Sequence, residues 1–266
     1  VLLKPAKGFP AGAETLHSTT LGWRMVNPAM PGDWTLSLGE CTELLAEKYG
    51  ITRQAQDEYA LASHQKAAAG WDGGAYSAEV VGYPGVELSR DESIRADSSL
   101  AALAKLAPAF RPDGTVTAGN ASPLNDGAAA LLVGDEAGAQ AAGRQPLARL
   151  VSRAVAAVEP QFFGIGPVEA ARTALSRAGI GWGELAMVEL NEAFAAQSLA
   201  CLADWPELDP AIVNVHGGAI AIGHPLGCSG ARVVSHLAHQ LRARGGYGLA
   251  AICIGVGQGL AVVLQA

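Results

Sequence analysis

The feature that most constrains the fold is a regular alternation of strand-like and helix-like segments from Leu147 to the C-terminus. The strand-like segments are short and apolar, whereas the segments between them repeat apolar residues at helical intervals. Strands are predicted at 147–158, 186–191, 248–256 and 259–265, and helices at 167–179, 191–204 and 229–245. Strands that alternate with helices predict an α/β fold in which helices cover a sheet.

Residues typical of helix ends support these predictions. A Ser or Thr before a helix accepts a hydrogen bond from a free backbone N–H, Pro suits a first turn, and Gly suits the residue after the last turn. These residues are Thr52 and Ser229 as predicted N-caps, Pro167 in a first turn, and Gly179 and Gly245 after last turns. Thr52 is predicted to begin a helix over 52–71, and a further helix is predicted at 99–107. Residues 1–40 are predicted to form a loop.

Charge and composition exclude two classes of partner. The formal net charge is −7 and there is no run of Lys or Arg, so no nucleic-acid partner is predicted. No apolar stretch reaches the roughly 20 residues that cross a bilayer, and the first residues lack the apolar core of a signal peptide. We therefore expect a cytoplasmic protein with no membrane partner. The four cysteines are widely spread with no CxxC, which predicts reduced thiols.

Three polar residues stand among small residues, and we expect each to follow a strand: Asn191, His224 and Cys253. Sites in α/β folds form at strand ends, and a thiol near an imidazole readily becomes a thiolate. Each residue also has a structural interpretation: a turn histidine, a buried small cysteine and a helix N-cap asparagine. His236 and His239 lie three apart on a predicted helix, but no further ligands have a suitable spacing, so we expect solvated or capping histidines and no metal site.

Four segments in order resemble the signature blocks of the thiolase family. They are TAGNASPLNDGAAA (117–130), ELNEAFAAQ (189–197), NVHGGAIAIGHPLGCSGAR (214–232) and CIGVGQG (253–259). Residues 57–67 and 91–110 resemble the loop domain of the same family. The resemblance implies the layered αβαβα thiolase fold, α/β in class, with a mixed sheet between helices, a loop domain and an incomplete N-terminal half.

The resemblance also implies a domain division and an assembly. We expect a CoA-binding loop domain at 1–118, a remnant of the N-terminal thiolase half at 119–145, and the C-terminal thiolase domain at 146–266. Thiolases exchange acyl groups between a 3-oxoacyl-CoA and CoA, or run the reverse Claisen condensation. The expected partners are acyl-CoA and CoA as substrates, with no permanently bound cofactor, in a homodimer or homotetramer that serves fatty acid degradation (β-oxidation).

By position, the resemblance assigns four residues to catalysis. His224 takes the proton of the nucleophilic thiol and donates to the thioester oxygen, and Cys253 protonates the acetyl carbanion. Asn191 holds a water that stabilises the enolate oxygen together with His224, and the amide of Gly255 serves a second oxyanion hole.

A second set of residues is assigned to CoA and its acyl chain. Ser122 and Ala121 are expected to line the pantetheine slot, and Ala193 and Phe194 to border the acyl end. Arg95 is placed where the family contacts the nucleotide, and a solvated surface charge is the equal alternative.

The chain departs from the family pattern in several places. No cysteine of the four matches the family's nucleophile, so we expect activity to need an N-terminal thiolase segment; the alternative is a non-catalytic acyl-CoA-binding subunit. Val256 stands where the family has the middle Gly of CIGGG, and SLGECTE (37–43) stands where many members have a His-Met pair. Residues 19–30 resemble degradative thiolases that act on longer or polar chains. A related ketoacyl synthase is disfavoured, because that branch generally has a second histidine in place of Cys253.

Overall fold

A computed structural model describes residues 26–266 of the chain, so the predictions for residues 1–25 lie outside the described part. The helices are α1 (Leu38–Tyr49), α2 (Arg53–Asp72), α3 (Leu100–Leu103), α4 (Glu136–Ala142), α5 (Gly166–Ala178), α6 (Ala195–Ala203), α7 (Ala219–Ile222) and α8 (Leu226–Arg244). The strands are β1 (Arg149–Ala157), β2 (Leu185–Leu190), β3 (Tyr247–Ile254) and β4 (Gln258–Gln265).

The four strands form one mixed sheet in the order β1-β4-β3-β2. β4 pairs antiparallel with both β1 and β3, whereas β2 and β3 run parallel, with Leu190 beside Ala251. A tight turn after Ile254 joins β3 to β4. The carboxyl ends of β2 and β3 therefore lie side by side at one edge of the sheet.

Helices cover both faces of this sheet. Successive residues of a strand point to opposite faces. Leu249 and Ala251 of β3 accordingly belong to the core with α5 and α6, and Ala250 belongs to the core with α8. The predicted mixed sheet between helices is confirmed.

The region before β1 packs on the helices that follow β2. α1 contacts α6, and α2 contacts α6 and α7. α1 begins with a capping box in which Ser37 accepts from the Glu40 N–H and the Glu40 carboxylate accepts from the Ser37 N–H. Residues 122–135 have no regular structure, and Leu132 is 87% exposed. Within residues 26–266, no helix is both long and apolar enough to span a bilayer.

Two of the predicted helix starts are wrong. The helix after β2 begins at Ala195, because Ala121 pairs with Phe194 and holds the segment from Asn191 extended; Asn191 is therefore not a helix N-cap. The next long helix begins at Leu226 after Pro225, so Ser229 lies inside α8 instead of capping it. Thr52, Gly179 and Gly245 stand at helix ends as predicted.

Two upstream predictions also need correction. The helix predicted at 99–107 ends at Leu103. Pro108 disfavours a helical conformation at Ala107, and it forms an isolated bridge with Thr117. The loop predicted for residues 1–40 ends earlier, at Ser37, where the capping box starts α1.

Candidate active site

The structure brings two of the predicted catalytic residues into contact. The Asn191 Nδ2 atom lies 3.4 Å from His224 Nε2, although the two residues are 33 positions apart in sequence. Asn191 follows directly after β2 and is buried. Its Oδ1 atom has no hydrogen-bond partner among the residues that the structure describes, so it is available to a water or ligand. The pair therefore combines an imidazole with an unoccupied amide acceptor.

His224 lies in the turn between α7 and α8, not at the end of a strand as the sequence predicted. The turn passes through Gly223, whose φ is +91°. A Cβ atom there would lie 2.5 Å from the Asn125 side chain, so glycine serves both the turn and the close approach of the 122–135 segment. The Arg232 guanidinium donates to the Gly223 carbonyl at 2.7 Å and holds the turn from α8.

The imidazole of His224 is neutral at physiological pH. Burial lowers its pKa to about 4, and the positive charge of Arg232 acts in the same direction. On the opposite side of the ring from Asn191, Nδ1 lies 2.6 Å from Ser229 Oγ. A neutral imidazole can accept a proton from a thiol, which a permanently charged one cannot.

Cys253 lies at the same edge of the sheet as Asn191. The Asn191 N–H donates to the Ala251 carbonyl, and Cys253 follows two residues later in β3. Its thiol packs with Cys41, Phe163 and Ala193 in an apolar cluster, and burial raises its pKa to about 12. A thiol with this pKa is protonated at rest, which suits a proton donor and not a resting thiolate.

Gly255 and Val256 form the turn that follows Cys253. Val256 has φ +67°, a region that β-branched residues rarely occupy, and Gly257 has φ +82°. This geometry gives a physical reason for the glycine that the thiolase pattern has at the Val256 position. Gly255 itself is open on one side, where a Cβ atom would only touch Leu38 at 3.5 Å.

The four residues predicted for the CoA slot lie together. Ala121 and Phe194 form an antiparallel bridge, and both the backbone N–H and the hydroxyl of Ser122 donate to the Ala193 carbonyl. These contacts join the segment of Ala121 and Ser122 to the segment that follows Asn191. Arg95 lies apart from these residues: it is exposed, and its guanidinium donates to the Glu92 carbonyl.

The sequence of the chain matches two family models, which together cover most of it. One is described as the N-terminal domain of thiolase and matches residues 24–137; the other is the C-terminal domain of thiolase and matches residues 144–266. This chain belongs to the thiolase family. A 3-oxoadipyl-CoA/3-oxo-5,6-dehydrosuberyl-CoA thiolase of Escherichia coli is 46% identical over 275 residues, covering 100% of this chain and 68% of the relative. An acetyl-CoA acetyltransferase of Rhizobium meliloti is 50% identical over 237 residues, covering 86% and 60%.

Solved thiolase structures confirm the predicted fold. Acetyl-CoA acetyltransferase of Bacillus anthracis superposes with a TM-score of 0.81 and 43% identity, covering 87% of this chain and 60% of that one. Human mitochondrial 3-ketoacyl-CoA thiolase in complex with CoA gives a TM-score of 0.81 and 41% identity, covering 87% and 59%. This thiolase chain thus spans between 59% and 68% of the lengths of these four proteins.

The sequence patterns did not single out Glu192, which connects three other segments at the candidate active site. Its buried carboxylate accepts hydrogen bonds from the side chains of Tyr59 and Ser63 in α2, from Asn214 Nδ2, and from the Ile220 N–H in α7. α2, β2 and the start of α7 are therefore fixed to one another close to Asn191 and His224. Its place in the NEAF block was the available signal, but its four partners are distant in sequence.

His216 and His236 form a second histidine cluster. His236 Nδ1 pairs with the Glu79 carboxylate, and its Nε2 lies 3.1 Å from His216 Nδ1. The prediction that His236 is solvated or capping is wrong, because the side chain is buried and stacks on Tyr76 at a centroid distance of 4.9 Å. No group of three or more potential metal ligands occurs among residues 26–266.

Proposed function

We propose that this chain supplies the acid–base half of a thiolase site, which cleaves a 3-oxoacyl-CoA with CoA to acetyl-CoA and a shortened acyl-CoA. The observation that carries the proposal is the contact between Asn191 and His224 beside the carboxyl ends of β2 and β3. Membership of the thiolase family and the names of its relatives, which are thiolases and acetyltransferases, support the same reaction.

The first half of the reaction begins at His224 Nε2, which accepts the proton of the acyl-carrying thiol. The thiolate attacks the 3-oxo carbon, and the bond between C2 and C3 breaks to leave the enolate of acetyl-CoA. Nε2–H of His224, together with a water held by Asn191, stabilises the enolate oxygen, and the Gly255 amide faces the other developing oxyanion.

Cys253 then gives its proton to C2 of that enolate and releases acetyl-CoA. Its raised pKa supports this role, because the thiol keeps its proton until a strongly basic carbon forms beside it. In the second half of the reaction the CoA thiol gives its proton to the Cys253 thiolate and attacks the acyl-enzyme. The released nucleophilic thiolate then regains its proton from His224 Nε2.

The acyl-carrying thiol belongs, in this proposal, to the nucleophile-bearing segment of the thiolase family, joined to this chain or added as a partner. Three of the four cysteines are buried in packing roles: Cys41, Cys201 and Cys228. Burial raises the pKa of Cys41 to about 11, so it too is a poor resting nucleophile. The alternative of a non-catalytic acyl-CoA-binding subunit gains no support from the names of the relatives.

CoA binding is proposed for the paired segments of Ala121–Ser122 and Ala193–Phe194, with Arg95 either at the nucleotide end or as a solvated charge. A CoA complex of a similar thiolase supports CoA as the substrate. The division at residues 118 and 145, the homodimer or homotetramer and the cytoplasmic location stay predictions.

For the acyl chain, we propose a 3-oxoacyl group that ends in a carboxylate, as in 3-oxoadipyl-CoA. The relatives with that name align over 100% of this chain, whereas the acetyltransferases align over about 86%. The alternative substrate is a simple fatty 3-oxoacyl chain, as in β-oxidation.

A substrate comparison tests the proposal. Purified enzyme that contains this chain and a nucleophile-bearing thiolase segment is mixed with CoA and either 3-oxoadipyl-CoA or acetoacetyl-CoA, and acetyl-CoA formation is followed. We expect product from both, with the higher kcat/KM for 3-oxoadipyl-CoA. Equal or reversed values would overturn the substrate assignment, and no product from either would overturn the reaction.

A further inference from the structure

The hydroxyl of Ser229 lies between the imidazole of His224 and a backbone carbonyl. Ser229 Oγ is 2.6 Å from His224 Nδ1 and 3.0 Å from the Pro225 oxygen, and the residue is fully buried. The second contact joins Ser229 of α8 to the residue four positions earlier, directly before the helix. This is the arrangement in which a helical serine donates its proton to the carbonyl one turn earlier. A hydroxyl has one proton to donate. If that proton goes to Pro225, Oγ can only accept from the ring.

The other ring nitrogen gives an independent observation. Asn191 Nδ2 faces His224 Nε2 at 3.4 Å, and an amide nitrogen can only donate. The contact is favourable when Nε2 carries a lone pair and unfavourable when it carries a proton. A neutral imidazole has one protonated nitrogen. With the Asn191 amide nitrogen facing Nε2, both contacts are satisfied together only when that proton is on Nδ1.

We propose that Ser229 is a positioning residue that holds the neutral imidazole of His224 as the Nδ1–H tautomer, with Nε2 as the basic nitrogen. The relevance of this tautomer to thiolysis rests on the proposed function, because Nε2 is the atom that must accept the thiol proton. The tautomer itself does not depend on that function. Ser229 acts through His224 and needs no contact with substrate.

Nuclear magnetic resonance measures the tautomer directly. Long-range ¹H–¹⁵N spectra of the ¹⁵N-histidine-labelled chain at neutral pH distinguish a protonated from an unprotonated ring nitrogen, and a His224→Gln sample assigns the His224 signals. We expect the Nδ1–H pattern in the unmodified chain. In Ser229→Ala the Nδ1 partner is lost, and we expect the signals to shift toward the Nε2–H pattern.

Two further variants separate positioning from general stability. Ser229→Thr keeps a hydroxyl that can donate to the carbonyl one turn earlier, so it should restore the Nδ1–H pattern. Ser152→Ala is the matched control, because Ser152 is also buried and its hydroxyl donates to the Ala174 carbonyl at 2.6 Å. This control should lose stability without a change in the His224 signals. An Nε2–H pattern in the unmodified chain, or an unchanged pattern in Ser229→Ala, would overturn the proposal.

An activity measurement then connects the tautomer to catalysis. In enzyme that shows thiolysis, Ser229→Ala should lower kcat about 10- to 10²-fold with little change in KM, since a base held in the wrong tautomer loses rate and not binding. A normal kcat together with the expected spectra would show that the tautomer is fixed but that His224 is not the base. That outcome would contradict the proposed function and leave the structural assignment standing.

Discussion

The two histidine sites of this thiolase chain differ in the groups that contact each imidazole. In the second cluster, both ring nitrogens of His236 contact other side chains, those of Glu79 and His216. At the candidate active site His224 is half-buried, and its neighbour Asn191 keeps a buried amide oxygen without a partner among the described residues. The comparison indicates that the His236 cluster stabilises the fold, whereas the Asn191–His224 pair keeps an acceptor that another molecule can use.

The pKa values of His224 and His236 are shifted in opposite directions. Burial and Arg232 keep His224 neutral, with a pKa of about 4. Burial also acts to lower the pKa of His236, but its hydrogen bond to the Glu79 carboxylate and the charges of Glu189 and Glu79 outweigh burial and raise that pKa. Different neighbours thus shift the pKa of the same side chain in opposite directions.

The largest expected effect is on activity at the first site. His224→Ala should lower thiolysis by at least about 10² to 10³, because it removes a general base and an oxyanion donor together. His239→Ala, half-buried on α8, is the matched control and should keep near-normal activity. Steady-state kinetics measure both. A His224 variant with more than half the normal rate would remove this residue from the mechanism.

At the second site we expect a loss of stability instead. Glu79→Ala should lower the free energy of unfolding by about 3 kcal/mol, because it leaves the buried His236 without its counter-charge. Activity per folded molecule should be unchanged. Glu87→Ala removes an exposed carboxylate from the same part of the chain and should change stability by less than about 0.5 kcal/mol. Urea denaturation decides between these outcomes, and equal losses in the two variants would contradict the structural role of Glu79.

The pH dependence of stability should have opposite signs for His224 and His236. Between pH 4 and 6.5 the unfolded chain protonates His224 more readily than the folded chain does, so this residue makes stability rise with pH across that window. His224→Gln should reduce the slope by up to about 1.4 kcal/mol per pH unit. His216 has the same shift and should keep part of the slope.

His236 should act in the other direction. Its pKa is raised when the chain folds, so its contribution is fully present below about pH 6.5, the unfolded value, and is lost as pH rises through the folded value. His236→Gln should therefore remove a decline in stability above about pH 6.5. Unfolding curves collected from pH 4 to 8 measure both windows, and slopes of the same sign for the two residues would break the comparison.

The smallest expected effect concerns backbone strain beside the first site. Val256→Gly should raise stability by up to about 1 kcal/mol, because relief of the left-handed conformation exceeds the entropy that glycine adds to the unfolded chain. Val155 is an exposed valine in the regular strand β1, so Val155→Gly should lower stability. Thermal unfolding of both variants is the measurement, and a destabilised Val256→Gly would show that no strain is stored there.

Local sequence patterns were sufficient for the regular half of the fold. Apolar runs and capping residues predicted β1, α5, β3 and β4, because neighbours in sequence determine where these elements begin and end. The helix after β2 was placed four residues early, since the pairing of Ala121 with Phe194 connects segments 73 positions apart. No local pattern reports such a contact.

The same limit applies to the site residues. The resemblance selected Asn191 and His224, but the burial of His236 depends on Glu79, which is 157 residues away. The role of Ser229 was interpreted as a cap because Pro225, which starts α8 three residues earlier than predicted, was not recognised as the helix boundary. Identities are local, whereas hydrogen-bond partners depend on the tertiary fold.

The measurement that tests the central claim most directly uses Cys253→Ser in enzyme that shows thiolysis. In the proposed mechanism, acyl transfer needs a thiolate, His224 and the Gly255 amide, whereas chemistry at the acetyl α-carbon also needs the Cys253 proton. A serine hydroxyl is a much weaker acid than a thiol, whose reference pKa is about 8.5. The variant should therefore form a labelled acyl-enzyme from a simple acyl-CoA, located by peptide mass spectrometry, and fail to exchange the α-protons of acetyl-CoA in D₂O. A label found on Cys253 itself in the unmodified enzyme would contradict the account and make this cysteine the nucleophile.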